Sequence, residues 1–447
     1  MTQLTLESIR DCLDGEVPGV IATCSPDGVP NISYVSQVHY VDGEHIALSF
    51  QFFSKTRDNI RANPVANVMV VNPETAARYR LQAQYLRTED TGATFENMKA
   101  KLAGIASHTG MSGVFRLQGA DIYRVTSVTA VAGQTVLPTP PRKSLLAAVR
   151  TFSQSTERWN ELSELLDGAL AQIEQQLGVR HSMIHWLDES GERLYLVASR
   201  GYAQSGIGSE IQLGQGVIGV AARARTSIRV THATSEYTYS RAARESVRTT
   251  QLADRLEAEI PLPGLPAPGS QLAVPITART RLLGVLYLED ADESQFGYDE
   301  EDAVVAIAQH LGLAAQMLSQ TSERNADRPR TVQNEPAPAG QPLVVRHYAA
   351  DDTIFIGDDY LIKGVAGAIL WKLLHEFTAR GRSEFTNREL RLDSTLPLPD
   401  VSSNLEARLI LLQRRLAERC PSLGIEKTGR GRFRLRIARP LCLLEAT

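Results

Sequence analysis

Proline sets the divisions of this chain. The segment from Asn325 to Pro342, NADRPRTVQNEPAPAGQP, is polar, proline-rich and without apolar periodicity. Such a stretch supplies neither a helical stripe nor a strand alternation, so it is expected as a linker. A second break, LPTPPRKS from Leu137 to Ser144, lies nearer the N terminus. A third, PLPGLPAPGS from Pro261 to Ser270, directly precedes a strong strand and is expected as a loop inside a domain. At roughly 100–200 residues per domain, the 447 residues divide into 1–140, 141–324, the linker 325–342, and 343–447. The expected fold class is multidomain α+β.

Hydrophobic residues make up 43% and charged residues 22% of the chain, the balance of an ordinary globular protein. No stretch approaches the roughly 18 apolar residues of a membrane span, and the run from Gly364 to Leu374 is too short. The start, MTQLTLESIRDCLDG, lacks a basic region followed by an apolar one, so no signal peptide is expected. Cys12, Cys24, Cys420 and Cys442 form no C-x-x-C pair, and none has a histidine at zinc spacing. They are expected as inert thiols in a reducing compartment, with no metal site, no membrane partner and a cytoplasmic location. No P-loop, H-E-x-x-H or G-x-S-x-G is present, and no catalytic residue is assigned.

The first domain opens with a short helix, Leu4 to Leu13. The strand-like runs VIATCS, NISYVSQVHYV and HIALSFQFF follow, the first two joined by Pro26-Asp27-Gly28. SKTRDNIRANP reads as a short helix, VANVMVVN as a strand, Thr94 to Ala106 as a helix and VFRLQGADIYRVTSVTAV as a long strand. The stretch from Gly19 to Val71, with Phe52-Phe53-Ser54-Lys55-Thr56 and Asn63-Pro64, resembles the FMN-binding split barrel of the pyridoxamine 5′-phosphate oxidase superfamily. The resemblance implies a site for FMN or a related flavin, its phosphate near Ser54, Lys55 and Thr56. A lysine and two hydroxyls where a strand gives way to a helix suit that anion. Gln51 and Phe52, just upstream, are expected to line the ring. Split barrels of this kind build their cofactor site between two subunits, so the resemblance also implies a homodimer.

In the middle domain a helix is expected from Ser153 to Leu177. Trp159, Leu162, Leu165, Leu166, Ala169, Leu170, Ile173 and Leu177 fall on one apolar face, expected to extend the dimer interface. HSMIHWLD and RLYLVASR read as strands, LAVPITA and LLGVLYLED as a hairpin around Arg279 to Arg281, and Asp299 to Leu318 as a closing helix. Leu213-Gly214-Gln215-Gly216-Val217-Ile218-Gly219, Leu272-Ala273-Val274-Pro275-Ile276 and Leu283-Gly284-Val285-Leu286-Tyr287-Leu288-Glu289 resemble the GAF domain, a small-ligand sensor with an α/β sandwich fold. Its small-molecule ligand is not legible. The domain has no cysteine, which excludes a thioether-linked bilin, and His181, His185, His232 and His310 are the histidines open to axial haem ligation.

The C-terminal domain carries the strongest charge signal. From Asn404 to Arg439 there are ten Lys or Arg against three Glu, an excess of seven inside a chain of net charge −4. A long helix, Ser402 to Arg419, precedes two strand-like stretches, GIEKT and FRLRIA, around Gly429-Arg430-Gly431. That order and charge point to duplex DNA. Arg408, Gln413, Arg414 and Arg415 are the candidates for the groove, and Lys427, Arg430 and Arg432 for the neighbouring backbone. Tyr360 to Ile437, with Glu384-Phe385-Thr386-Asn387-Arg388-Glu389-Leu390, Gln413-Arg414-Arg415-Leu416 and Gly429-Arg430-Gly431-Arg432-Phe433-Arg434-Leu435, resembles the winged-helix domain of response regulators. No receiver domain precedes it. The expected architecture is thus split β-barrel, GAF sandwich, winged helix. The expected function is a one-component transcription regulator answering a flavin, redox or small-molecule cue; the alternative is a flavin-dependent oxidoreductase with appended domains.

Overall fold

The computed structural model describes residues 4–13, 17–50, 54–108, 117–136, 144–188, 190–230, 260–293, 295–324, 340–396, 405–429 and 431–446. The N-terminal unit begins with a 3-10 turn, Glu7–Leu13. Its strands are β1 (Gly19–Cys24), β2 (Pro30–Val35), β3 (Val38–Tyr40), β4 (His45–Phe50), β5 (Val65–Val71), β6 (Arg78–Glu89) and β7 (Gly119–Val131). Helix α1 (Ser54–Ala62) follows β4, and α2 (Ala93–His108) lies between β6 and β7. The sheet is antiparallel, in the order β2-β1-β5-β6-β7-β4-β3. Its two outermost strands, β2 and β3, are separated by only Ser36 and Gln37. Two residues span too little for the far sides of a flat seven-stranded sheet, so the sheet must curl into a half-barrel. NISYVSQVHYV, expected as one strand, is therefore two. Gln37 marks the crossing: it is buried, and its backbone is bridged to Ser49. The sheet buries Ile21, Val68, Leu81 and Tyr123 on one side, and Ala47, Met98 and Ile122 with α2 on the other.

The middle unit has helices α3 (Leu145–Thr156) and α4 (Leu162–Leu177) where one helix was expected. The break lets Trp159 fold back edge-on to Phe152, with ring centroids 5.9 Å apart. The Trp159 ring also lies where a side chain on Gly168 would stand: an added Cβ would come within 2.3 Å of it. Strands β8 (His181–Leu187), β9 (Arg193–Arg200), β10 (Glu210–Gln212), β11 (Ile228–Val230), β12 (Ser270–Ala278) and β13 (Arg281–Asp290) form a sheet in the order β10-β9-β8-β13-β12-β11. Helix α5 (Gly216–Ala224) follows β10, and α6 (Tyr298–Arg324) closes the unit. Leu162, Leu165, Leu166, Ala169, Leu170 and Ile173 are all buried within this same chain. The stripe expected to extend a dimer interface is instead core, because α4 packs on its own sheet.

The C-terminal unit starts at β14 (Leu343–Tyr348), followed by β15 (Thr353–Ile356) and β16 (Asp359–Ile362). Strand β20 (Leu441–Ala446) runs parallel to β14 and completes the sheet β16-β15-β14-β20. Helix α7 (Gly364–Arg380) leads to β17 (Glu384–Thr386), α8 (Asn387–Leu392) and α9 (Leu405–Arg419). Thr386 caps α8: its hydroxyl accepts from the Glu389 amide while the Glu389 side chain accepts from the Thr386 amide. The hairpin β18 (Leu423–Gly429) and β19 (Arg432–Ile437) pairs back onto β17, giving a second sheet, β17-β19-β18. Among the described residues, no helix is long and apolar enough to cross a membrane.

Candidate functional site

The N-terminal candidate gathers around the start of α1. Lys55 is exposed in the first turn of that helix. Thr56 is buried, and its hydroxyl accepts from Asn31 Nδ2 at 2.9 Å and lies 2.9 Å from Ser33 Oγ. It pins β2 to the helix, so its hydroxyl is already engaged rather than open to a ligand. Gln51 and Phe52 lie outside the described residues, and of Ser54 the structure places the backbone alone, as the first residue of α1. Arg57, two residues after Lys55 in α1, is drawn inward. Its guanidinium sits 3.9 Å from the Phe50 ring centroid, Nη2 donates to Thr88 Oγ1 at 3.4 Å, and Nη1 is 3.7 Å from Asp121 Oδ1. Thr88 donates in turn to Asp121 Oδ1 at 2.5 Å and lies 2.7 Å from the Tyr85 hydroxyl. Burial raises the pKa of Asp121, against the opposing pull of Thr88 and Arg57. Arg57 Nη1 is buried without a hydrogen-bond partner. An exposed lysine, a helix N-terminus and an orphaned guanidinium donor fit a phosphate-bearing group in both charge and donor type. Asp121, an acid between apolar neighbours in GADIYRV, was the sequence signal that Arg57 has a buried partner.

Among the described residues, the middle unit offers no such cluster. His185 is fully buried, with neither ring nitrogen hydrogen-bonded, and burial lowers its pKa to about 3. His181 packs on Tyr202, and His310 Nδ1 lies 2.8 Å from the Ala306 carbonyl of its own helix. His232 is outside the described residues. Glu289 accepts from the Leu265 amide at 2.8 Å and from the Tyr287 hydroxyl at 3.1 Å, which secures the proline-rich loop to β13. No group of three or more metal-ligating side chains occurs among the described residues. The four cysteines are unpaired, and burial raises the Cys12 thiol to about 12.

The C-terminal candidate is a cleft between α9 and the β18–β19 hairpin, lined by Asn387, Glu406, Gln413, Lys427 and Arg432 among others. Gln413, Lys427 and Arg432 all line this cleft, while Arg430 lies outside the described residues. The other three expected groove residues are not on this cleft. Arg408 and Arg415 are buried, and Arg415 Nε donates to the Leu361 carbonyl at 3.1 Å. Arg414 is turned onto the middle unit, where it meets Asp167. The hairpin spends more of the charge internally: Arg434 and Arg436 both pair with Glu426 at 3.0 Å, and Arg439 donates to the Gln341 carbonyl. The excess of seven positive charges is therefore no open electropositive face. Side-chain direction on α9 decides this, because residues 408, 411, 414 and 415 project to a different side from 406, 409, 410 and 413.

Comparison with known proteins identifies two of the three units. Residues 5–130 match the family model described as pyridoxamine 5′-phosphate oxidase, and residues 161–315 match that of the GAF domain. Among solved structures, an FMN-binding protein from Syntrophomonas wolfei is 16% identical over 29% of this chain and 86% of its own, with a TM-score of 0.25. The GAF domain of the Acinetobacter phosphoenolpyruvate-protein phosphotransferase is 22% identical over 38% of this chain and 92% of its own, with a TM-score of 0.30. The free methionine-R-sulfoxide reductase of Neisseria meningitidis is 16% identical over 40% of this chain and 91% of its own, also at 0.30. No curated protein matches the chain. The chain thus holds a pyridoxamine 5′-phosphate oxidase-like domain followed by a GAF domain.

Proposed function

We propose that this protein is a sensory transcription regulator whose N-terminal domain binds a flavin phosphate and whose C-terminal unit binds duplex DNA as a winged helix. The observation that carries the DNA reading is the arrangement of α7, β17, α8, α9 and the β18–β19 hairpin. A fifteen-residue helix lies beside a two-stranded wing, with Gln413, Lys427 and Arg432 lining the cleft between them. A glutamine on a helix is suited to a base edge, and a lysine and an arginine on a hairpin to phosphates. Lys55 and the start of α1 are the proposed grip on FMN or a related flavin. Exposed Ile32 and Tyr34 of β2 and Val65 and Met69 of β5 support a homodimer.

The test is selection of genomic DNA fragments by the full chain, followed by affinity measurements across a salt series. Arg432→Ala should lower the slope of log affinity against log salt by about one unit if it contacts one phosphate. Gln413→Ala should relax sequence preference with little change in that slope. Retained fragments without a shared sequence, together with an unchanged slope in Arg432→Ala, would refute the reading.

A further inference from the structure

The basic side of α9 is held by oxygens and an aromatic ring of the GAF domain. Arg414 Nη2 donates to Asp167 Oδ1 of α4 at 2.7 Å, and its Nη1 donates to the Val197 carbonyl of β9 at 2.6 Å. Arg408 is 8% exposed, its guanidinium carbon 3.7 Å from the centroid of the Tyr195 ring in the same strand. Lys427, near the turn of the hairpin, donates to Glu161 Oε2 at 2.8 Å, immediately before α4 begins. Lys363, just before α7, lies 3.6 Å from Glu210. Between these contacts Gly208 takes φ +91°, a backbone conformation that favours glycine, and a Cβ there would stand 2.7 Å from Ile260 and at an ordinary contact distance of 3.6 Å from Leu411 and Arg415. The loop that carries Gly208 therefore packs against α9.

These partners share one chemistry. Carboxylate and carbonyl oxygens accept from arginine and lysine as phosphate oxygens do, and one guanidinium face cannot serve both at once. The pairs Lys363–Glu210, Arg414–Asp167 and Lys427–Glu161 are partly exposed and individually weak, whereas Arg408 and Leu411 are buried in the same seam, so the ion pairs are the part that a change of charge loosens. We propose that the GAF domain competes with DNA for the α9–hairpin unit: Glu161 occupies Lys427, one of the proposed phosphate contacts, while Asp167 and Tyr195 hold Arg414 and Arg408 on the adjoining side of α9, so the helix is withheld, and DNA binds when the seam parts. This inference rests on the DNA-binding reading of the C-terminal unit.

The experiment uses the full chain and the double variant Glu161→Gln, Asp167→Asn. The variant removes two charges and keeps side-chain volume, and both positions lie at the seam rather than in the core. Affinity for a mixed-sequence duplex is read by fluorescence anisotropy, and opening of the seam by hydrogen exchange in peptides spanning 194–198 and 408–416. The expected result is about tenfold tighter DNA binding by the variant, with faster exchange in both peptides. Asp167→Arg, which places like charge against Arg414, should act the same way and more strongly. Measurable binding of equal strength by wild type and both variants would overturn the competition alone. Exchange unchanged in both variants would also overturn it. No binding by any of the three, despite faster exchange, would refute the DNA reading and the competition with it.

Discussion

His185 places a titratable ring where no water reaches it, and the consequence is a stability that depends on pH. Burial holds its pKa at about 3, whereas an unfolded imidazole titrates near 6.5. Between those values the unfolded chain binds a proton that the folded chain refuses. The folded state therefore keeps its full stability above about pH 6.5 and loses it as pH falls, at about 1.4 kcal/mol per unit. His185→Leu should reduce the slope of unfolding free energy against pH between 6.5 and 5 by about one proton, measured by urea denaturation at stepped pH. An unchanged slope would mean that the ring accepts its proton while folded. His39 carries the same sign, lowered to about 4 by burial and by Lys101, so its own substitution should remove a second, separate share. At Lys55 the expected effect is on binding. A charge-assisted hydrogen bond contributes about 1.5–3 kcal/mol, so Lys55→Ala should weaken FMN binding roughly ten- to a hundredfold in a fluorescence titration. Equal affinity would place the phosphate on other donors, with Arg57 Nη1 the next to test.

Among the elements, α4 shows how far a sequence pattern reaches. Its apolar stripe is legible from the spacing of Leu162, Leu165, Leu166, Ala169, Leu170 and Ile173, but periodicity does not say which surface covers that face. The structure covers it with the chain's own core, so Leu166→Ala should cost about 2–5 kcal/mol. Thermal denaturation should show the loss while light scattering shows no change in association state; a weakened oligomer at unchanged melting temperature would restore the interface reading. Strand β6 is an element the sequence reading lacks, although Tyr79, Leu81, Ala83 and Tyr85 alternate inward between polar neighbours that face outward, the period of a half-buried strand. The hairpin β12–β13 and helix α9 were legible because their apolar runs are long and bounded by turn residues. The fate of the α9 arginines was not legible. Asp167 and Tyr195 lie more than two hundred positions before Arg414 and Arg408, and no local pattern reports a partner at that distance. The charge excess is real in the sequence, and folding spends most of it on internal pairs.

At the scale of the whole molecule, the N-terminal half-barrel exposes an apolar patch on β2 and β5, bordered by polar residues of β6. Ile32 and Tyr34 of β2 are 71% and 77% exposed, and Val65 and Met69 of β5 are 56% and 38% exposed. Register puts them side by side: Tyr34 and Met69 both pair with Val20 of the intervening β1, and Ile32 pairs with Ala22. Apolar side chains gathered on one sheet face mark an interaction surface. A second copy is the partner implied by the split-barrel resemblance, and a two-fold axis would set this patch against itself. The same strand carries the cofactor argument, because Asn31 and Ser33 point from β2 toward Thr56 at the start of α1, on the opposite side of the strand from Ile32 and Tyr34. Moving β2 therefore disturbs both. Tyr34→Asp, alone or with Ile32→Asp, should halve the mass measured by light scattering, with the melting temperature little changed because these side chains are already exposed in the single chain. If the cofactor site is completed at the dimer interface, FMN affinity should fall together with the mass. A monomer that keeps its FMN affinity would confine the site to one subunit. A dimer that survives both substitutions would move the interface off this face.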